Sequence, residues 1–514
     1  MFLDVVNVLL VFPKFNENSF WNYQATCDLS NARYPAAPLG LITVAALLPK
    51  KWDIKLIDRN TENLTHDDLN WADIVMTGGM LPQRIDTIDI INLSHEFGKT
   101  VVVGGPDVTS SPSFYDIADF QVLGEAEEIM QDFVTSWLRG DKKGIFQAAM
   151  GKTDVTKSPI PRFDLLKLDH YLHVGVQFSR GCPFNCEFCD IIELYGRIPR
   201  TKTNQQVISE LDTLYNLGYR GHVDFVDDNL IGNKKALRKF IPDLIEWQRK
   251  KKYPFEFSTE ASINLADDTE LLTDLRNANF FAVFVGIESP DPETLILAQK
   301  KQNTKRSLEH SIRKIYEAGI FVNAGFIVGF DSENESISEG MIKCIEDTSI
   351  PVCMVGLLYA LPTTQLWNRL SLEGRIIEND EYEYSGDQCT AGLNFNTNRL
   401  REEILNDYLI ILKRIYEPSA YFGRVRSLGR MLNRKHRYQM KKGDLRSFIR
   451  LIFRIHRTGT GASFNFWRTL IDCALHNPKA LPYIVMINAL YLHLGPFSKR
   501  VINEIERKIS VIRK

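Results

Sequence analysis

The chain has 514 residues, of which 44% are hydrophobic and 25% charged, a composition that excludes collagen-like, disordered and multi-span membrane proteins. This length exceeds one ordinary core, so two to four domains are expected. The net charge of −2 hides an asymmetry: residues 399–514 carry 24 Lys and Arg against 8 Asp and Glu, whereas the remainder carries 38 against 56. Eight sparse cysteines, with neither a basic leader nor an apolar run of about 20 residues, predict a reducing, cytoplasmic location.

Residues 1–145 alternate short apolar runs with helical stretches. Helices are expected over ranges such as 39–48 and 83–97, and a linker is expected over 146–168. Alternation of this kind predicts a doubly wound parallel sheet with helices on both faces. The predicted strands cover 6–12, 53–57, 73–77, 100–103 and 119–123.

A second strand–helix alternation occupies residues 169–395 and predicts a partial (β/α)6 barrel. One helix is well delimited, because Thr203 and Gln206 form a capping box and Gly218 follows its end. Residues 396–514 are expected to form a basic, mostly helical domain. The predicted barrel strands cover 174–179, 222–227, 255–259, 281–287, 321–328 and 352–359.

Three cysteines, Cys182, Cys186 and Cys189, lie on one loop after the first barrel strand. Three thiolates at this spacing suit three irons of a [4Fe–4S] cluster, and a missing fourth ligand leaves one iron open. The alternatives are a zinc site, which would need a fourth close Cys or His, and three free core cysteines.

The pattern Cys182-x-x-x-Cys186-x-Phe188-Cys189 resembles the signature of radical S-adenosyl-L-methionine (SAM) enzymes. The resemblance implies that the open iron binds SAM, that SAM is cleaved to a 5′-deoxyadenosyl radical, and that an electron donor such as flavodoxin or ferredoxin supplies the electron. The cofactor carries this chemistry, and the protein positions the reacting groups and excludes water.

Polar residues and glycines recur at the ends of the predicted barrel strands, where such barrels place their sites. Carboxylates there accept hydrogen bonds from a ribose diol or an ammonium group, and glycines permit close approach. Ordinary turn chemistry is the alternative for each position alone. The candidates at strand ends are Asp227, Asp228, Glu260, Ser262, Glu288, Ser289 and Gly329, and Phe188, the aromatic residue before the third cysteine, is a candidate from the signature itself.

The loops of the first domain resemble those of the cobalamin-binding domain that precedes the barrel in one radical SAM subclass. The usual Asp-x-His-x-x-Gly motif is absent, so Met80 or Gln83 is a candidate for the lower cobalt ligand. A domain that binds nothing is the alternative. The candidate residues are Pro38, Gly40, Met80, Gln83, Gly104, Gly105, Pro106, Gly124 and Glu125.

Closer resemblance over residues 5–425, carried by segments such as Asp190–Arg200, Val226–Asn233 and Asn394-Phe395, indicates the branch that contains hopanoid carbon-two methylases. Arg197, Arg200 and Lys202 suggest an electropositive cluster loop or a solvated basic turn. The basic C-terminal region, with Phe448–Arg454 and the apolar stretch 482–497, suggests a helical cap over the barrel mouth, contact with anionic lipid, or both. Nucleic acid is not expected, because few aromatics interleave with these charges.

The resemblance implies a cobalamin-dependent radical SAM methyltransferase that moves a methyl group from methylcobalamin to an unactivated carbon of a small, lipid-like or polycyclic substrate. Radical rearrangement or oxidative cyclisation with the same cofactors is one alternative, and a non-catalytic cobalamin or cluster sensor is another.

Overall fold

The structure is a computed structural model that describes residues 6–377, 389, 392–435, 438 and 443–513. Its strands are β1 (Asn7–Phe12), β2 (Tyr34–Ala36), β3 (Asp53–Asp58), β4 (Ile74–Thr77), β5 (Thr100–Gly104), β6 (Phe120–Leu123), β7 (Gly144–Gln147), β8 (Tyr171–Val176), β9 (Ser179–Arg180), β10 (Arg200–Thr201), β11 (Gly221–Phe225), β12 (Phe255–Glu260), β13 (Phe280–Glu288), β14 (Phe321–Val328) and β15 (Val352–Leu357). Its helices are α1 (Gln24–Ser30), α2 (Leu39–Leu47), α3 (His66–Trp71), α4 (Arg84–Glu96), α5 (Pro106–Ser110), α6 (Ala126–Arg139), α7 (Ile191–Leu194), α8 (Asn204–Asn216), α9 (Lys234–Lys250), α10 (Thr269–Asn277), α11 (Pro292–Leu297), α12 (Leu308–Glu317), α13 (Ile337–Thr348), α14 (Gln365–Leu372), α15 (Arg401–Ile415), α16 (Pro418–Met431), α17 (Asp444–Arg457), α18 (Thr460–His476) and α19 (Leu481–Ile512).

The first sheet has the order β3-β1-β4-β5-β6-β7, and all of its pairings are parallel. The order reverses at β1, so the loops after β1 and β4 border the crevice where open α/β sheets bind ligands. The expected doubly wound sheet is therefore present. It also contains β7, which sequence patterning missed because this edge strand is not fully buried and has no continuous apolar run.

The second sheet is parallel and has the order β15-β14-β13-β12-β11-β8-β2. It contains the six expected barrel strands and a seventh, β2, which comes from the chain between β1 and α2. Tyr34 is in register with Tyr171, and Ala36 is in register with His173. Pro35 is compatible with β2 because β2 is an edge strand that needs fewer backbone donors.

Helix α8 begins and ends where the sequence predicts. The Thr203 hydroxyl accepts from the Gln206 amide at 3.2 Å, and the Gln206 side chain accepts from the Thr203 amide at 2.8 Å. Gly218, with φ of 85°, follows the helix end in the left-handed region that favours glycine.

The C-terminal helices close the end of the barrel opposite to the one expected. Buried Arg434 donates to the carbonyls of Phe280 at 2.8 Å and Gly319 at 2.9 Å, next to the beginnings of β13 and β14. The apolar stretch 482–497 belongs to α19, where Ile484 and Ile487 are fully buried, so much of it forms core. His436, Arg437, Lys441 and Lys442 of the basic region lie outside the described residues.

The helices among the described residues include none with the length and apolar character needed to cross a membrane.

Candidate active site

The three cysteines lie on the loop between β9 and α7. The Cys189 amide donates to the Cys186 carbonyl at 3.2 Å, and the Cys182 amide donates to the Gly196 carbonyl at 3.3 Å. Gly181 precedes Cys182 with φ of 93°, and a Cβ there would lie 2.8 Å from the Gly196 carbonyl oxygen. The path of the loop therefore requires glycine at this position.

Two candidate carboxylates hold the start of this loop. Asp227 accepts from the backbone amides of Phe178 at 3.0 Å and Ser179 at 2.5 Å, and Asp228 accepts from the Gly181 amide at 2.8 Å. Burial raises the pKa of Asp227 to about 7 and that of Asp228 to about 6, although these hydrogen bonds oppose the shift. Asp227 thus has a positioning role that sequence reasoning did not distinguish from ligand binding.

Amide side chains approach two of the cysteine sulfurs. Asn229 Nδ2 lies 3.9 Å from Cys182 Sγ, and Gln302 Nε2 lies 3.8 Å from Cys186 Sγ. Asn229 also donates to the Ser262 hydroxyl at 3.1 Å. The candidate Ser262 therefore lies behind Asn229 as seen from the cysteine loop. Sequence reasoning missed Gln302, because it follows α11 and has no motif of its own.

A charged pair lies beside the cysteine loop. Lys300 Nζ donates to Glu288 Oε1 at 2.7 Å, and it lies 5.9 Å from the centroid of the Phe188 ring. Glu288 has φ of 66°, a strained conformation for a residue with a side chain. Lys300 is a second residue that the sequence did not reveal.

The other candidates at the barrel strand ends have structural contacts. Phe188 packs against Phe330 with ring centroids 5.8 Å apart, and Ser289 accepts from the Asp291 amide at 3.2 Å. Gly329 has φ of 112°, and a Cβ there would lie 2.6 Å from a Leu393 methyl group. Close packing is therefore sufficient to explain this glycine.

All nine candidates of the first domain line one large cavity. The loops after β4 and β5 meet there, since a Cβ on Gly78 would lie 1.8 Å from the Gly104 carbonyl oxygen. Buried Arg84 and Asp107 join the same two loops through hydrogen bonds of 2.9 and 2.6 Å. The glycine-rich edge is thus a rigid wall of the cavity.

The two residues considered as cobalt ligands differ in availability. Gln83 is buried: its amide donates to the Pro13 carbonyl at 2.7 Å and its oxygen accepts from the Met80 amide at 3.1 Å. The Met80 side chain is 50% exposed at the cavity wall. Of the pair, Met80 has the side chain that can reach a ligand without breaking internal hydrogen bonds.

Glu125, which follows β6, joins the first domain to β9 and β10, an antiparallel pair of short strands that flanks the cysteine loop. It forms ion pairs with Arg180 at 3.1 Å and Arg200 at 2.7 Å, while Arg180 also pairs with Glu127 at 2.6 Å. Lys202 forms a buried ion pair with Glu210. Two of the three basic residues that suggested an electropositive loop are therefore neutralised, and only Arg197 of the three is exposed.

The cavity has a volume of about 2270 Å³ and is lined by the first-domain loops, the barrel interior and the C-terminal helices. Asp228 and Glu260 are the barrel candidates on its wall. Common ligand pockets hold about 300–1,000 Å³. The space is therefore sufficient for more than one bound molecule.

A polar cluster lines the barrel interior. His222 Nε2 lies 2.6 Å from the Ser258 hydroxyl, which donates in turn to Asp224. Glu260 faces the cavity, and removal from bulk water together with the nearby Asp224 carboxylate raises its pKa to about 8. Phe281 packs against the His222 ring with centroids 4.9 Å apart, and further aromatic side chains line the same cavity, among them Trp21, Tyr23, Phe284 and Phe448.

The side chains present fit the expected groups. Three thiols on one loop with N–H donors toward two of the sulfurs suit an iron–sulfur cluster. Across the described part of the chain, no three His, Cys, Asp or Glu side chains converge around a single metal ion. A cubane instead binds its cysteines on separate irons. The open Gly-rich wall beside Met80 suits a large planar group.

Comparison with known proteins places the chain in a class. Residues 176–344 match the radical SAM superfamily, and residues 364–507 match a domain of unknown function, DUF4070. An uncharacterized methyltransferase of Synechocystis sp. is 41% identical, with coverage of 98% of this chain and 94% of that protein. The hopanoid C-2 methylase of Rhodopseudomonas palustris is 38% identical, with coverage of 81% and 78%.

Two solved structures share the fold. The cobalamin-dependent SAM radical enzyme OxsB, with aqua-cobalamin bound, has a TM-score of 0.60 at 16% identity and covers 98% of this chain and 84% of its own. The radical SAM methyltransferase TsrM from Kitasatospora setae has a TM-score of 0.57 at 15% identity and covers 72% and 78%.

The chain belongs to the family of radical SAM methyltransferases that includes the hopanoid C-2 methylase, and its fold is that of cobalamin-dependent radical SAM enzymes. The predicted family, fold class and enzyme class are confirmed. The predicted [4Fe–4S] cluster and SAM are those of the matched radical SAM domain, and the solved structures of TsrM and OxsB, which share the fold, hold the third predicted cofactor, cobalamin.

Proposed function

We propose that this enzyme methylates an unactivated carbon of an apolar, lipid-like or polycyclic substrate in the shared cavity. The continuity of that cavity is the observation that carries the proposal, because it joins the glycine-rich wall of the first domain to the barrel interior. Its aromatic lining suits an apolar ring system, and the His222–Ser258–Asp224 cluster suits one polar group on it.

Residues of this chain would hold each cofactor in a separate place. Cys182, Cys186 and Cys189 would bind the cluster, with Asn229 and Gln302 donating toward two of the sulfurs. Asp228 and Glu260 would contact SAM where the barrel strands end. Pro38, Gly40, Met80, Gly104, Gly105, Pro106 and Gly124 would contact the corrin.

When bound, these cofactors supply radical generation and methyl-group transfer, and the protein contributes position and exclusion of water. Phe188, Phe330 and Lys300 would shield the cluster side of the cavity. The electron would come from a small donor protein such as flavodoxin or ferredoxin. The enzyme would act in the cytoplasm, with the basic C-terminal region in peripheral contact with the membrane.

Anaerobic reconstitution tests the cluster assignment. The wild type should take up four irons per chain and cleave SAM, and Cys182→Ala should lose both properties. Cys344→Ala is the matched control, because this cysteine lies on α13, outside the cysteine loop. Retained SAM cleavage in Cys182→Ala would contradict the assignment.

Isotope labelling tests the methyl transfer. A strain lacking the enzyme should lose a metabolite that reappears 14 daltons lighter. With that lighter compound as substrate, SAM carrying a deuterated methyl group should label the product. Equal yields of S-adenosylhomocysteine and 5′-deoxyadenosine are expected. Formation of 5′-deoxyadenosine alone, with an unlabelled product, would indicate rearrangement or cyclisation instead.

A further inference from the structure

Two C-terminal helices expose a continuous row of large apolar side chains. On α17 these are spaced by four residues, and on α18 by three or four, so each helix presents one apolar stripe. We define the outer face as Leu445, Ile449, Phe453, Phe464, Trp467, Ile471 and Leu475. Their exposed fractions lie between 38% for Trp467 and 76% for Leu475.

The two stripes adjoin. His456, which is exposed on the same side of α17 as Phe453, accepts a hydrogen bond from the Trp467 indole at 3.4 Å. The rings of His456 and Trp467 are 6.3 Å apart. The outer face is therefore one surface across both helices, larger than the scattered exposed apolar residues of an ordinary protein surface.

Arginines surround this surface. Arg446, Arg457 and Arg468 are exposed on the same two helices, and residues 443–477 contain only two acidic residues, Asp444 and Asp472. Asp472 is paired with Arg430. Apolar side chains with a tryptophan and flanking arginines are typical of helices that lie in the interface of an anionic bilayer.

A shallow cleft borders the same surface. It is lined by Phe453 of the outer face and by Arg450, Arg454 and Arg457. Arg454 forms an ion pair with Asp28, Arg450 donates to the Asn31 side-chain oxygen and keeps its charge, and Arg457 is exposed at the rim. A basic cleft beside an apolar surface suits a phosphate headgroup next to acyl chains.

The inner side of α17 faces the cavity. Ser447, Phe448 and Leu451 line it, Ile449 and Phe453 point outward, and Leu445 at the start of the helix lies where the cavity edge meets the outer face. One helix thus separates the substrate cavity from the outer face. We propose that the outer face docks on an anionic membrane and brings the cavity next to the bilayer. The role of this docking in substrate delivery rests on the proposed function.

A protein partner fits this surface less well. The core of a stable protein interface is depleted of charge, whereas arginines here alternate with the apolar residues along α17. A second copy of the chain would also bring like charges together. An anionic bilayer matches both the apolar and the positive character of the surface.

Vesicle sedimentation tests the docking with the full-length holoenzyme. Wild type should pellet with vesicles of equal phosphatidylcholine and phosphatidylglycerol, and far less with phosphatidylcholine alone. Phe453→Glu combined with Ile471→Glu should lower the partition coefficient at least about tenfold, because two apolar anchors are lost. Leu372→Glu combined with Leu138→Glu is the matched control, since both are exposed leucines on other helices.

Further measurements separate the other outcomes. Arg446→Glu with Arg468→Glu should weaken binding to the anionic vesicles and reduce its salt dependence. Trp467 should contribute a blue shift of fluorescence on vesicle addition that is lost in Trp467→Phe. Cys182→Ala should bind vesicles like wild type, which separates docking from methyl transfer. Equal binding by wild type and Phe453→Glu/Ile471→Glu would overturn the proposal, as would concentration-dependent dimers of wild type without vesicle binding.

Discussion

Replacement of Arg180 by methionine tests the junction between the first domain and the β9–β10 pair that flanks the cysteine loop. Arg180 precedes the cysteine loop, and its guanidinium contacts Glu125, Glu127, Ser158 and Gln177. Methionine keeps much of the side-chain volume but removes the charge and its donors. Glu127, which is nearly inaccessible to solvent, would then retain only Ser158 as a side-chain partner among these residues.

The magnitude follows from the Glu127 carboxylate. Burial alone would raise its pKa, but the Arg180 guanidinium, with smaller help from the Ser158 hydroxyl and a backbone hydrogen bond, outweighs burial and lowers it from 4.5 to about 2. A carboxyl pKa lowered from 4.5 to about 2 corresponds to about 3 kcal/mol of stabilisation by all of these contacts together. Removal of one partner from a buried ion pair typically costs about 3–5 kcal/mol, which agrees. This stabilisation is fully present above pH 4.5, the pKa of the unfolded chain, and is lost as the pH falls through about 2. The reason is that the folded state favours the ionised Glu127 carboxylate more than the unfolded state does.

Urea unfolding followed by circular dichroism at pH 7.5 gives the measurement. The first unfolding transition of Arg180→Met should move to lower urea, and hydrogen exchange should accelerate in the loops around Gly124 and Cys182. Arg139→Met is the control, because its ion pair with Asp141 is on the surface and its loss should not shift the transition. Adding Glu127→Gln should recover part of the lost stability. An unchanged transition in Arg180→Met would refute the assigned junction.

Three further predictions concern the cavity. Gly78→Ala should lose cobalamin, measured by the corrin absorbance of the purified protein, because its Cβ would collide with Gly104. Gly40→Ala, whose Cβ meets no atom within 4 Å, should keep the fold but bind less corrin, because Gly40 is assigned to the corrin wall; unchanged absorbance in Gly78→Ala would contradict that assignment. Asn229→Ala should lower the cluster midpoint potential in an EPR redox titration without loss of iron, because one donor near Cys182 disappears; an unchanged potential would contradict this hydrogen bond. Glu260→Gln should gain thermal stability relative to wild type as the pH rises from 4.5 to above 8, because the raised pKa makes the ionised carboxylate unfavourable in the folded state; equal melting temperatures across this range would contradict the shift.

The sequence predicted the main elements because their signals are local. Apolar runs located β1, β3, β4 and the six barrel strands, and the Thr203–Gln206 capping box located the start of α8. β2 and β7 escaped detection for a physical reason: each is a short strand without a continuous buried run, and β2 pairs with β8, more than 130 residues away in the chain.

The candidate site shows the same division. The cysteine spacing alone indicated the cluster, since the three ligands share one loop. Spacing could not separate Asp227, which holds the loop backbone, from Asp228, which faces the cavity. Nor could it identify Gln302 and Lys300, which approach the cysteine loop from the chain after α11.

By itself, the sequence determined the class of enzyme and its charge asymmetry, because cysteine spacing, strand periodicity and residue counts are local properties. Only the tertiary structure decided what the positive C-terminal region does in the fold: it closes the barrel with Arg434 and α19, and it leaves the outer face of α17 and α18 exposed. That partition depends on which side of each helix meets the core. Packing against strands that are distant in the sequence determines which side of a helix is buried. Neither the net charge nor the apolar periodicity of a helix specifies its neighbours.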